Sequence, residues 1–87
     1  MSPQTAEVLI GRITHYYSHL GVGIIELSEG ELKVGDTIHV KGAHTDFIQT
    51  VDSMQLEHQN VAQAEKGKSV GIKVKEKVRE HDQVLRV

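Results

Sequence analysis

Hydrophobic residues in this chain recur at every second position in short runs, and turn-forming residues break the runs apart. Alternation of that kind marks half-buried strands, and no stretch carries the i, i+3, i+4 stripe of an amphipathic helix. From Glu7 to Tyr17, Val8 and Ile10 are expected on one face, and after Gly11 the pattern resumes at Ile13, one residue out of step. A glycine where alternation slips by one predicts a β-bulge, which bends a strand as barrel closure requires. GVGIIELS, Gly21–Ser28, reads as a second strand, and EGELKVGD as a turn whose Leu32 and Val34 cover one end of the core. A third strand, Asp36–Lys41, is expected to point Ile38 and Val40 inward and Thr37, His39 and Lys41 outward.

GAHTD then forms a loop, and a fourth run, Phe47–His58, slips near Asp52–Ser53. QNVAQAEKG is polar and expected to be irregular. The clearest alternation follows, with Val70, Ile72 and Val74 set against Gly71, Lys73 and Lys75. REHD turns the chain back into a short closing strand, QVLRV. Six strands, short turns and at least two bulges predict an all-β fold: a single six-stranded, mainly antiparallel closed β-barrel domain over residues 1–87.

Composition narrows the class further. The aromatic residues are Tyr16, Tyr17 and Phe47, so the core must be built from Val, Ile and Leu. There is no cysteine, which excludes disulfides and thiolate chemistry. The opening MSPQTAEVLIG lacks the basic flank and apolar run of a signal peptide, and no stretch is long enough to span a bilayer. The expectation is a cytoplasmic protein with no membrane partner.

One stretch imitates a nucleotide site. Ala62 to Ser69 fits the phosphate-loop pattern G-x-x-x-x-G-K-[ST] except at its first glycine. A phosphate loop needs a helix after it, so that backbone N–H groups meet the phosphates. Here the period-two run SVGIKVK follows, so Gly67 is expected to turn the chain into a strand, and no nucleotide binding is expected.

The net charge of −2 conceals a local polarity. Residues 66–79 hold Lys66, Lys68, Lys73, Lys75, Lys77 and Arg79 against a single acid, Glu76, a local charge of +5, whereas residues 42–65 carry −4 and no Lys or Arg. If the fifth strand continues, Lys73, Lys75 and Lys77 project from one face about 7 Å apart. A face of that kind either contacts phosphates or is a solvated surface balanced by the acidic run. The six histidines show no metal-ligand spacing; His15 and His19, four apart in a strand, stand about 13 Å from each other. At least one of Tyr16 and Tyr17 must face solvent, since neighbouring strand residues point opposite ways. No serine sits in a nucleophile elbow and no acid pair has a context that shifts its pKa, so the chain reads as a non-enzyme without cofactor or metal.

Three elements in order, Leu32-x-x-Gly35-Asp36-x-Ile38, Gly67-x-x-Val70-Gly71 and Asp82-x-Val84, resemble domain II of the translational GTPases, the small barrel beside the GTPase domain in elongation factor Tu and its relatives. The resemblance runs from about Ile10 to Val87. It implies a free-standing accessory barrel that does no chemistry. At the family's aminoacyl pocket, this chain carries Gln55 and Glu57 in place of a glutamate and an aromatic residue, and Ser69 in place of an asparagine. The function expected from the resemblance is a non-catalytic module associating with ribosomal RNA, tRNA or the ribosome through Lys66, Lys68, Lys73, Lys75, Lys77 and Arg79. The alternative is a protein–protein adaptor that complements a separate enzyme or GTPase without touching RNA.

Overall fold

The slip at Gly11 is a register shift in the first strand. In the computed structural model, which describes residues 7–87, β1 (Val8–Tyr17) lies between β2 (Val22–Glu26) and the last strand, β10 (Gln83–Arg86). Its register shifts between Leu9 and Gly11 against β10 and again between Ile13 and His15 against β2. Ile10 and Gly11 are both buried at the first shift. A Cβ on Gly11 would stand 2.1 Å from the Glu26 carbonyl oxygen, so the bulge accepts only glycine. The opening MSPQTA, on which part of the leader reading rests, lies outside the described residues.

Five further strands complete one antiparallel sheet: β4 (Thr37–Lys41), β5 (Asp46–Thr50), β6 (Met54–Leu56), β7 (Gln59–Val61) and β9 (Ser69–Lys73). Its order is β5-β4-β10-β1-β2-β9-β6-β7, and β3 (Leu32–Lys33) pairs with β8 (Gln63–Ala64) as a separate two-stranded sheet. The larger sheet curls into a half-barrel with two unpaired edges, β5 and β7. The all-β, antiparallel reading therefore stands, and the closed six-stranded barrel is corrected.

Two local events explain the difference. The run Phe47–His58 is not one strand. At Val51 the backbone N–H donates to the Asp36 carbonyl (2.9 Å) and the chain leaves the sheet, so β5 pairs with β4 while β6 pairs with β7 and β9. The polar stretch QNVAQAEKG also supplies β7 and β8, whose pairing rests on backbone hydrogen bonds that side-chain alternation does not report.

The core is aliphatic, as the scarcity of aromatics requires. Ile10, Ile13, Ile25, Leu27, Leu32 and Ile38 are all buried, with Phe47 the aromatic residue among them and Tyr16 packed against their edge. Burying each such side chain stabilises the fold by about 1.5–3 kcal/mol. Two expectations fail here: Val34, expected over one end of the core, is 41% exposed, and Val8, expected on the face of the buried Ile10, is 47% exposed. Val8 precedes the bulge that changes the facing of β1, and Val34 lies in the turn after β3. Among the described residues no helix is long and apolar enough to cross a membrane.

Candidate functional site

An apolar groove opens where the β1–β2 and β6–β7 hairpins flank β9. In the first hairpin, the N–H groups of Leu20 and Gly21 both donate to the Tyr17 carbonyl (3.0 and 2.9 Å), and Gly21 takes a φ of +66° that favours glycine. This tight turn throws Leu20 into solvent at 62% exposure and leaves Tyr17 half exposed beside it. The second hairpin turns through Glu57 and His58 at φ values of 52° and 68°. Positive φ at both central residues is the geometry of a type I′ turn, whose twist suits a two-residue hairpin. Between the two turns Val22, Ile24, Val70 and Gly71 form the floor, and Gln55, Glu57, His58 and Ser69 a polar rim, around a volume of about 270 Å³. A Cβ on Gly71 would lie 3.3 Å from both Ile24 Cδ1 and Val22 Cγ1, so the glycine keeps that floor low.

The rim is lightly braced. Gln55 Nε2 donates to Asn60 Oδ1 at 3.3 Å across the β6–β7 hairpin. Tyr17 stacks on His15, with ring centroids 6.2 Å apart, and Glu80 lies 3.9 Å from His15 Nδ1. An apolar floor, one exposed aromatic, one exposed leucine and a ring of hydrogen-bonding groups can seat an apolar side chain and hold the polar backbone around it. Gln55, Glu57 and Ser69, which the resemblance singled out, do converge here.

The basic residues fall into two groups along the chain. All six are exposed, but Lys66 and Lys68 lie at the turn into β9, whereas Lys73, Lys75, Lys77 and Arg79 lie at and beyond its far end. The five residues of β9 separate the two groups by about 16 Å. The condition for a comb of Lys73, Lys75 and Lys77, a strand that continues, is not met, because β9 ends at Lys73 and the chain bends at Lys75–Glu76. Among the described residues none of the six has a carboxylate within 4 Å, so the acidic run does not balance them in ion pairs. Lys73 and Lys75 alone share a cleft, with Gln49, Thr50, Asp52 and Val74.

The phosphate-loop imitation resolves as expected into a turn. Lys68 N–H donates to the Glu65 carbonyl (3.2 Å), Gly67 has a φ of +96°, and β9 follows directly. The Gly67 N–H and Lys68 carbonyl both bond Leu27, which ties the turn to the end of β2.

Among the histidines, His39 has surroundings that no local pattern announces. Its Nδ1 lies 2.6 Å from Glu7 Oε2 and its Nε2 lies 2.5 Å from Asp46 Oδ1. Its pKa is raised above the usual 6.5, first by the bond to Asp46 and then by the bond to Glu7, since only the protonated ring donates to both. Asp46 follows from the β4–β5 hairpin, but Glu7 meets His39 only through the β1–β10–β4 order. Among the described residues no three His, Cys, Asp or Glu side chains are arranged to hold a metal.

No family model matches the chain, but known proteins resemble it along most of its length. It is 41% identical over 81 residues to a collagenase of Porphyromonas gingivalis (strain ATCC BAA-308 / W83), covering 92% of this chain and 20% of that protein. It is 42% identical over 79 residues to an uncharacterized protease of Methanocaldococcus jannaschii, covering 90% of this chain and 19% of the protease. The chain thus spans about a fifth of the length of the curated relatives it matches. Among solved structures, it superposes on the C-terminal domain of a Geobacillus thermoleovorans protein assigned to the U32 peptidases, with a TM-score of 0.83 at 19% identity, covering 99% of both chains. The selenomethionine form of that domain gives 0.82 at 18% identity, covering 91% of this chain and 98% of the other.

These relatives overturn the resemblance to translation-factor domain II, and the expected RNA-associating role falls with it. The structure explains why the motif misled. Gly35 and Gly67 are positive-φ turn residues, and Asp36 Oδ2 accepts from the Lys33 N–H (3.0 Å). Asp82 Oδ2 accepts from the Arg79 N–H (2.9 Å) in the same way, while Leu32, Ile38, Val70 and Val84 are core. These residues serve turns and the core, so the pattern reports local construction and not function. The expectation of a non-enzyme likewise draws no support from relatives named for proteolysis.

Proposed function

We propose that this chain is a β-domain of the kind found at the C-terminus of U32-type peptidases, and that it positions polypeptide substrate for chemistry performed elsewhere in a longer protein. The observation that carries the reading is the pairing of 41–42% identity to proteins named collagenase and protease with a match confined to about a fifth of their length. In those relatives the matched segment is one part of a longer protein. The groove between Tyr17, Leu20 and His58 supplies a seat whose chemistry suits an extended polypeptide: an apolar floor for a side chain and a polar rim for the backbone. The expected adaptor for a separate enzyme gives way to a domain that shares its polypeptide with the chemistry, and residues 1–87 are taken as one domain.

The test uses the chain itself and fluorescently labelled heat-denatured collagen, followed by anisotropy. Saturable binding is expected, weakened about tenfold or more by Leu20→Asp and by Tyr17→Ala. Leu20 is largely and Tyr17 half exposed, so the urea midpoint should move little in either variant. Absence of saturable binding, or binding indifferent to both substitutions, would reject the proposal.

A further inference from the structure

The half-barrel has a slit between β9 and β5, and one side chain bridges it. On one side β9 pairs with β2 along its whole length. On its other side β6 reaches only to Gly71 and Ile72. Just beyond, the Lys73 carbonyl and the Lys75 N–H face the slit with no strand opposite them. Both are taken by a single side chain from the sheet's far edge strand: Gln49 Nε2 donates to the Lys73 carbonyl, and the Lys75 N–H donates to Gln49 Oε1, each at 2.8 Å.

That pair of bonds is the pattern one residue of a parallel strand makes when it pairs opposite Val74. A primary carboxamide can aim its C=O and one of its two N–H bonds at the same edge, as the C=O and N–H of a single strand residue do, so Gln49 makes the bonds such a residue would make. At Lys73–Lys75 the backbone edge is therefore bonded by a side chain in the pattern that a main chain would make. Around it lies a cleft of about 380 Å³ lined by Gln49, Thr50, Asp52, Lys73, Val74 and Lys75. Lys75, one of the lining residues, has its Nζ 6.0 Å from the Phe47 ring centroid. Lys73, Lys75 and Lys77 have no carboxylate within 4 Å among the described residues, whereas Asp52 is the single acid in the lining.

We propose that the Lys73–Lys75 edge is a docking slot for an extended, acidic segment of a protein partner, held shut in the free domain by the Gln49 carboxamide. Strand addition supplies the affinity through main-chain hydrogen bonds, and the lysines select acidic side chains on the incoming segment. The slot is separate from the Tyr17–Leu20 groove and does not depend on the function proposed for it.

The experiment titrates the isotope-labelled chain with three synthetic peptides of equal length. One alternates Glu with Thr and Val; the second replaces each Glu with Lys; the third is the acidic peptide N-methylated at its central residues. The acidic peptide should bind and shift the Gln49 side-chain amide and the Lys75 N–H, and the other two should bind at least about tenfold more weakly. Gln49→Ala removes the internal competitor and should tighten acidic-peptide binding by about tenfold, the weight of a displaced bond pair. Lys73→Glu with Lys75→Glu should abolish it, while Leu20→Asp should leave it unchanged.

Equal binding of the N-methylated peptide would overturn the proposal, because attraction would then be charge alone. So would displacement of the acidic peptide by single-stranded RNA of equal charge, or unshifted Gln49 and Lys75 signals at saturation. If Gln49→Ala fails to fold, those wild-type signals and the methylated peptide still decide the question.

Discussion

Gly42 and Asp82 face each other one step beyond the β4–β10 ladder, whose last pair is Lys41 with Gln83. A Cβ placed on Gly42 would stand 1.9 Å from Asp82 Oδ1 and 2.6 Å from its Cγ, so Gly42→Ala must expel the whole carboxylate. That group is not free to swing away. Asp82 is 4% exposed, and its Oδ2 accepts the Arg79 N–H at 2.9 Å, closing the turn into β10. Losing a hydrogen bond to a charged group costs about 1.5–3 kcal/mol. Asp82→Ala loses the same bond directly and leaves room for the new methyl.

The two single variants should therefore each lose about 2 kcal/mol, and the double variant should lose about the same, not the sum. In a domain of this size about 2 kcal/mol lowers the melting temperature by roughly 8–16 °C. Urea and thermal unfolding of all four proteins, followed by far-UV circular dichroism, measure the cycle. Additive losses in the double variant would refute the reasoning, since the methyl introduced by Gly42→Ala would then strike something other than the Asp82 carboxylate.

Two further outcomes follow from the same geometry. Gly11→Ala meets the Glu26 carbonyl at 2.1 Å, a backbone atom that no rotamer can move, and should cost about 3 kcal/mol by urea unfolding, more than Gly42→Ala; a loss below that of Gly42→Ala would contradict the bulge assignment. For His39 the sign is set by its raised pKa: the stabilisation from Asp46 and Glu7 is fully present below 6.5, where the unfolded ring is protonated too, and is lost as pH rises through the folded-state value. The stability advantage of the wild type over His39→Gln should thus be largest near about pH 5.5 and shrink steadily above 6.5, and a pH-independent difference would sink the assignment.

Much of the fold was legible because its signals are local. Alternation located β1, β2, β4, β9 and β10, the slip at Gly11 announced the bulge, and Gly67 marked the turn that the phosphate-loop pattern disguised. Each of these rests on residues adjacent in the chain, where side-chain period and φ preference act directly. The strands at Gln59–Val61 and Gln63–Ala64 escaped because their pairing is carried by backbone groups that every residue possesses. Turn and core residues also suggested the wrong relatives, because chemistry that builds a barrel-like fold is shared by proteins that do unrelated things.

The candidate sites were less legible, since they join residues far apart in the chain. Leu20 and His58 share a groove only because β2, β9 and β6 are neighbours in the sheet. Gln49 reaches Lys73 and Lys75 across more than twenty residues, and Glu7 reaches His39 across thirty-two, through a curl that no local pattern encodes. By itself, then, the sequence determined an aliphatic, antiparallel β-fold and the positions of its main strands. Only the tertiary structure decided that the sheet stays open and that one carboxamide spans the opening. Strand period is a property of neighbours in the chain, whereas closure depends on where the edges of a curled sheet come to rest.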